Sequence, residues 1–275
     1  MSILFQNFFE KFLFFLFIIR SLTKWHFLHY TERKNLYVRK EILHMKTKLL
    51  QGLTGNQLKI LALVAMTFDH VGLQLFPEYD IFRYIGRLAF PIFAYMIAEG
   101  AKYTKNRLRY FGQMFGLGVI CQLVYFFAMG SLYQCILITF SFSVILIYAL
   151  DYAIKKKNVD AWILFAMIFI ATVFLVEFLP SLLTGTDYCV DYGIWGVLTP
   201  VLVFAAPGKI TKLAVMTVPL AFLSFMGVHY QWMAFFTLIP LALYNGKRGK
   251  WRMKNLFYIY YPLHLVVIYG IDLLI

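Results

Sequence analysis

LKILALVAMTFDHVGLQLF, residues 58–76, is long enough to cross a bilayer, yet it carries Asp69 and His70 side by side. A helix needs about 20 mostly apolar residues to span the hydrocarbon core. Apart from that pair, no ionisable side chain follows Lys59 in the run. Similar runs recur at 84–101, 110–129, 134–154, 160–179, 192–206, 210–227, 230–244 and 256–275. The 275 residues are 61% hydrophobic, 19% aromatic and only 14% charged, which excludes an ordinary soluble domain. The expected fold is an all-α polytopic membrane protein. The sixth and eighth runs are short, so about eight to nine transmembrane helices are expected.

The net charge of +13 would suit a nucleic-acid binder if the basic residues formed one surface, but they fall in short loops. Lys102, Lys105, Arg107 and Arg109 follow the second run, and Lys155 to Lys157 the fourth. Lys209 and Lys212 follow the sixth, and Lys247, Arg248, Lys250, Arg252 and Lys254 the eighth. The alternate loops lack such clusters: 131–134 and 227–230 have no lysine or arginine, and 180–191 has only Asp187 and Asp191. By the positive-inside rule the N-terminal end of the first span is cytoplasmic and the C-terminus faces out. The expected partners are membrane lipid and no nucleic acid.

Residues 1–44 do not continue the pattern. FLFFLFII (12–19) is too short to span, and no small-residue cleavage site follows it. Two readings stand: an N-terminal extension lying on the membrane surface with the basic residues Arg33, Lys34, Arg39 and Lys40, or a chain whose translation begins at Met45. Residues 45–275 are read as a single multi-span domain. Cys121, Cys135 and Cys189 make no metal-ligand spacing. Cys121 and Cys135 flank one loop and could pair, although small buried thiols are the simpler reading. No metal is expected.

An ionisable group near the centre of a membrane helix costs about 2.5–3.5 kcal/mol on insertion scales, so it is paired, wet or chemically active. Asp69 and His70 lie roughly 17–18 Å along the first span at 1.5 Å per residue. Helix neighbours point about 100° apart, so each needs its own partner on another helix. In IFRYIGRLAFPIFAYMIAEG (81–100), Arg83 and Arg87 share one face near the same end. An Asp69–Arg83 or Asp69–Arg87 pair follows and leaves His70 free for proton transfer. Pro91 should bend this helix, and Gly86 should permit close backbone approach. His264 stands beside Pro262 inside the last run, where proline frees a carbonyl. TDYCVDYGIWG (186–196) gathers Asp187, Tyr188, Asp191 and Tyr192 at the mouth of the sixth run. Glu99, Glu177 and Asp272 lie near helix ends, where boundary roles suit the last two.

Several of these stretches occur together elsewhere. LKILALVAMTFDHVG, RYIGRLAFPIFAYMIAEGAKYTKNRLRY, VDYGIWGVLTPVLVF, LALYNGKRG and FYIYYPLHLVVI, in this order, resemble the TraX family of bacterial membrane proteins over roughly residues 54–275. The resemblance implies an integral-membrane acyltransferase of the bacterial inner membrane, similar to a wider set of multi-span enzymes that acylate sugars. The family's namesake is associated with N-terminal acetylation of a pilin. Relatives place a histidine late in their first span at the reaction centre, a role that falls here on His70. Asp69 and Arg87 would complete the catalytic set.

With that reading, Arg83, Glu99, His264, Asp191 and Tyr192 are the candidate substrate-binding residues. Lys102, Lys105, Arg107 and Arg109 suit the phosphates of a cytosolic acetyl-CoA donor. A histidine base contributes about 10²–10⁴-fold to such transfers, and a fixed arginine stabilises an oxyanion. An acyl-histidine is the variant chemistry. The acceptor stays open among a pilin-like peptide, a sugar and a lipid headgroup. The rival reading is a proton- or ion-coupled transporter with Asp69, His70, Glu99 and His264 as the relay.

Overall fold

The computed structural model describes residues 52–250 and 254–274. The expected extension (1–44) and the alternative start at Met45 lie outside them. The described residues are helical and contain no strand, only the isolated bridges Leu53–Tyr244 and Gln134–Val190. In chain order the helices are α1 (Gly55–Gln74), α2 (Asp80–Gly86), α3 (Ala89–Tyr103), α4 (Arg107–Met129) and α5 (Ile136–Lys156). Then come α6 (Val159–Val173), α7 (Leu179–Leu182), α8 (Gly193–Ala205), α9 (Gly208–Met226), α10 (Leu238–Ala242) and α11 (Lys254–Asp272).

Local chemistry sets the boundaries. Thr54 caps α1 in a reciprocal box, its Oγ1 accepting from the Gln57 N–H while Gln57 Oε1 accepts from the Thr54 N–H at 2.8 Å. Asn106 and Asn158 cap α4 and α6 in the same sense, through Arg109 and Ala161 N–H groups. Pro91 cannot donate to the carbonyl of Arg87, four residues back, and the helix breaks there: α2 ends at Gly86 and α3 begins at Ala89. Pro180 likewise deprives the Val176 carbonyl of its partner. One π-helical turn, Phe174–Phe178, absorbs the defect and joins α6 to α7.

Among the described residues five segments are long and apolar enough to cross a membrane: Asp80–Tyr103, Arg107–Phe127, Ile136–Lys156, Val159–Leu182 and Gly208–Met226. Only 11% of the Val159–Leu182 window is buried against 56% for Ile136–Lys156, so the former is peripheral and the latter central. The peripheral helices turn Phe127, Trp162, Met167 and Ile170 outward. An apolar surface of that extent suits lipid and not water. The chain is therefore a helical multi-pass membrane protein.

Of the four remaining expected spans, 256–275 forms the apolar helix α11, and the other three differ in kind. α1 has 20 residues but carries Gln57, Lys59, Asp69, His70 and Gln74, and is not among the five. α8 has 13 residues and holds Pro200. The expected eighth span, 230–244, is not an α-helix but a 3₁₀ run, His229–Thr237, followed by the five residues of α10. Lys212, grouped with the loop lysines although the run 210–227 contains it, lies inside α9 and is buried.

Candidate functional site

The contact of α1 with α2 and α3 builds the site. A Cβ at Gly86 would overlap the Asp69 carboxylate, and one at Gly72 would overlap the Phe82 side chain. These two glycines let the helices approach closely enough for both arginines to reach one acid. Arg83 Nη1 donates to Asp69 Oδ2 at 2.8 Å and to the Asp69 carbonyl at 3.0 Å. Arg87 Nη2 donates to Oδ1 at 2.5 Å. Both expected pairs form at once, one on each carboxylate oxygen.

The 3₁₀ run closes over this ion cluster. The Tyr230 ring lies 5.6 Å from the Arg83 guanidinium carbon and 5.4 Å from that of Arg87, within cation–π range. Arg87 Nη1 donates to Gln231 Oε1 at 3.2 Å. His229, at the exposed start of the run, meets Asp80 at 3.2 Å.

His70 turns to a different neighbour. Its Nδ1 lies 2.9 Å from the Met66 carbonyl and 3.2 Å from His264 Nε2. His264 Nδ1 lies 3.0 Å from the Tyr260 carbonyl. A carbonyl can only accept, so in neutral rings both Nδ1 atoms carry the hydrogen. His264 Nε2 is then bare and accepts from His70. The arrangement leaves His70 Nε2 as the unprotonated, basic nitrogen. Asp69, Arg83 and Arg87 are all near enough to act electrostatically on the ring. The two imidazoles meet edge to face with centroids 4.9 Å apart, and Thr67 bonds Tyr260 at 2.6 Å to tie α1 to α11 again.

Of the other candidates, Asp191 and Tyr192 join the site at longer range, within electrostatic reach of Arg87. Asp191 Oδ1 accepts from the Tyr133 hydroxyl at 2.7 Å, and burial pushes its carboxyl up to about 6. Tyr192 adopts the left-handed conformation (φ 60°), a strain of roughly 1–2 kcal/mol. Its ring stacks on Phe90 with centroids 4.1 Å apart. His264 sits behind His70, buried, rather than lining open space. Glu177 caps α8 through the Ile194 N–H at 2.8 Å, and Asp272 bonds Gln74.

Glu99 does not belong to this cluster. It is 12 residues beyond Arg87, about 18 Å along the helix axis, and forms a buried ion pair with Lys212. Lys102, Lys105, Arg107 and Arg109 are exposed at that same end, where Arg107 also pairs with Asp151. Among the described residues the cysteines are free, with Cys121 and Cys135 buried, and no group of three or more His, Cys, Asp or Glu could hold a metal.

Comparison with known proteins places this geometry. The family described as TraX protein matches residues 54–272, which contain the whole ion cluster and both histidines. The chain belongs to the TraX family. It is similar to the probable fimbrial assembly protein FimC, serogroup H1, of Dichelobacter nodosus, with 27% identity over 234 residues, 77% of this chain and 93% of that protein. A shorter likeness, 58% over 38 residues, is to the uncharacterized protein RP591 of Rickettsia prowazekii (strain Madrid E) and covers 14% of this chain and 15% of that one. No solved structure matches.

Within the TraX family reading, sequence reasoning passed over Tyr230, Gln231 and Lys212. Gln231 and Tyr230 follow a loop without lysine or arginine and open an apolar run, so nothing in their composition singles them out. Lys212 left one usable signal: it falls in the first turns of an apolar 3.6-residue pattern and not before it.

Proposed function

We propose that this TraX-family protein is an acyltransferase of the bacterial inner membrane, moving an acetyl or other acyl group from cytosolic acyl-CoA to an amine or hydroxyl. The observation that carries the reading is the His70 ring, held at Nδ1 with Nε2 left basic, next to an acid clamped by two arginines. His70 Nε2 takes the proton of the attacking amine or alcohol. The nitrogen or oxygen of the acceptor bonds to the thioester carbonyl carbon, and the tetrahedral intermediate collapses with cleavage of the C–S bond. The departing thiolate recovers the proton from His70. The Met66 carbonyl and His264 Nε2 together keep the imidazole in the productive tautomer, much as a buried acceptor does in hydrolase triads.

The basic end of the bundle faces the cytosol on this reading. Lys102, Lys105, Arg107 and Arg109 attract the donor's phosphates there, and its flexible arm carries the thioester toward His70. Lys102 is 15 residues from Arg87, roughly 22 Å along the axis, so the arm passes between helices. The acceptor arrives at the opposite end, past Asp191, Tyr192 and Tyr230. The family and the likeness to a fimbrial assembly protein favour a pilin-like peptide over a sugar or a lipid headgroup.

One experiment tests this directly. The full chain in detergent is mixed with acetyl-CoA and a panel of amine and alcohol acceptors, and free thiol is followed. Wild type is expected to release thiol, and His70→Ala to lose at least about 10²-fold of that rate. Equal release by the two proteins removes His70 from the chemistry.

Ion- or proton-coupled transport is a second reading, favoured by the Glu99–Lys212 pair, which puts ionisable groups at two depths of one bundle. It expects solute uptake by proteoliposomes and no thiol release.

A further inference from the structure

Buried polar groups in folded proteins almost always find partners, and an orphan calls for an explanation such as an absent ligand or water. Among the described residues, two such orphans belong to a single hydrogen-bonded pair at the ion cluster: Arg87 Nε and Gln231 Nε2. Both side chains are more than nine-tenths buried, Arg87 with 8% of its surface exposed and Gln231 with 4%.

The orientation of the Gln231 amide is fixed by chemistry. A guanidinium only donates, so the atom facing Arg87 Nη1 at 3.2 Å must be the carbonyl oxygen. The NH₂ end is thereby turned away from Arg87, with two N–H donors and no acceptor in reach. Arg87 is committed through Nη2 to Asp69 and through Nη1 to Gln231, which leaves its Nε–H unused as well. An orphaned donor in a buried place keeps the full cost of leaving water. Both orphans here are donors, so what completes the pair is an acceptor: an oxygen bearing negative or developing negative charge.

We infer that Gln231 is a catalytic residue whose Nε2–H donates to the carbonyl oxygen of the acyl thioester and holds it as an oxyanion during transfer. The inference rests on the acyltransferase reading above. As the acceptor's nitrogen or oxygen bonds to the carbonyl carbon, the C=O electron pair moves onto oxygen and the Gln231 N–H bond to it strengthens. When the C–S bond breaks, the pair returns and the thiolate leaves with the proton held by His70. Arg87 positions the amide by gripping its oxygen, and Asp69 in turn positions Arg87. Neither 3₁₀ geometry nor a glutamine signals such a role in sequence. The role comes from the 3₁₀ run laying Gln231 against the arginine.

Two variants separate donation from packing. Gln231→Glu keeps the shape and the acceptor that grips Arg87 but removes the amide donors. Gln231→Met removes donor and acceptor without adding charge. Both are purified as full chains in detergent, checked for monodispersity and melting, and compared for acetyl-CoA binding and thiol release. The expected result is binding within a few-fold of wild type, with the maximal rate down about 10²–10³-fold in both, as for loss of one oxyanion donor. Gln231→Glu should melt no lower than wild type, since its carboxylate holds Arg87 more strongly.

A rate within about threefold of wild type for either folded variant overturns the role of Gln231 and leaves the acyltransferase reading standing. A fall in the Glu variant alone also overturns it, because added charge and not a lost donor would then be the cause. If wild type itself neither binds acetyl-CoA nor releases thiol, the reading beneath the inference fails and the inference with it.

Discussion

Among the described residues, opposite charges meet inside the bundle in two places, and the two are built differently. At the basic end Glu99 meets Lys212 one to one, both buried, with the Lys212 ammonium 5.7 Å from the centre of the Tyr95 ring. Neither side chain has an orphaned buried atom. At the other end one carboxylate, Asp69, serves two guanidinium groups, and the Arg87–Gln231 pair keeps unused donors. A matched pair with nothing left over is a way of packing two helices, α3 and α9. A cluster with hydrogen-bonding capacity to spare is a place where something else binds. Charge burial alone did not separate the two in sequence; stoichiometry does.

The largest expected effect comes from removing Asp69. Asp69→Asn leaves the buried Arg87 and the part-buried Arg83 without their carboxylate, and breaking a buried pair in this way costs up to about 3–5 kcal/mol. The variant should express poorly, melt far below wild type in detergent and release no thiol. The matched pair should respond in the opposite way. Glu99→Leu with Lys212→Met replaces it by apolar side chains, a change that is often neutral or stabilising by about 1–4 kcal/mol. The double variant should keep its melting temperature and its thiol release. Loss of function in a well-folded double variant would break the comparison and favour a relay running the length of the bundle, as transport requires.

A smaller effect tests the histidine pair. His264→Phe removes one of the two acceptors for His70 Nδ1–H and leaves the Met66 carbonyl alone to hold the ring, for which a fall in rate smaller than the roughly 10²-fold of losing the base is expected. His264→Gln can offer its amide oxygen at the same place and should recover much of the rate. If Phe and Gln variants behave alike, His264 is only packing.

Much of this site was legible. Two costly residues in one apolar run require partners, and arginines four apart on the next helix, at the same end, are the natural ones. Gly86 and Pro91 also acted as their chemistry dictates, one admitting Asp69 and the other breaking the helix at Arg87. What was hidden has physical reasons too. Over 15 apolar residues a 3₁₀ run and an α-helix share nearly the same pattern, so 230–244 read as a span. Gln231 is neutral and acquires meaning only from the atom it faces. Lys212 looked like one more loop lysine, because burial of a cation depends on a distant acid, 113 residues away in sequence. The lateral partner of His70, on the last helix, could be suspected from Pro262 but not located.

The gentlest test concerns Asp191, beside the ion cluster but turned to Tyr133. Its carboxyl is pushed up to about 6 from 3.8 by burial, so the folded chain binds that proton more tightly than the unfolded chain. The sign follows: the contribution of Asp191 to stability is greatest below pH 4 and is lost as pH rises through about 6. Asp191→Asn removes the penalty at neutral pH while its amide oxygen still accepts from the Tyr133 hydroxyl. The melting temperature in detergent should rise by about 2–4 °C at pH 7.5, as a gain near 1 kcal/mol gives in a chain of this size. At pH 4 the two proteins should melt together. A variant that melts lower at pH 7.5 would show that the ionised carboxylate serves Arg87 as a second counter-charge. The cluster would then hold two acids to two arginines, and its contrast with Glu99–Lys212 would rest on the unused donors alone.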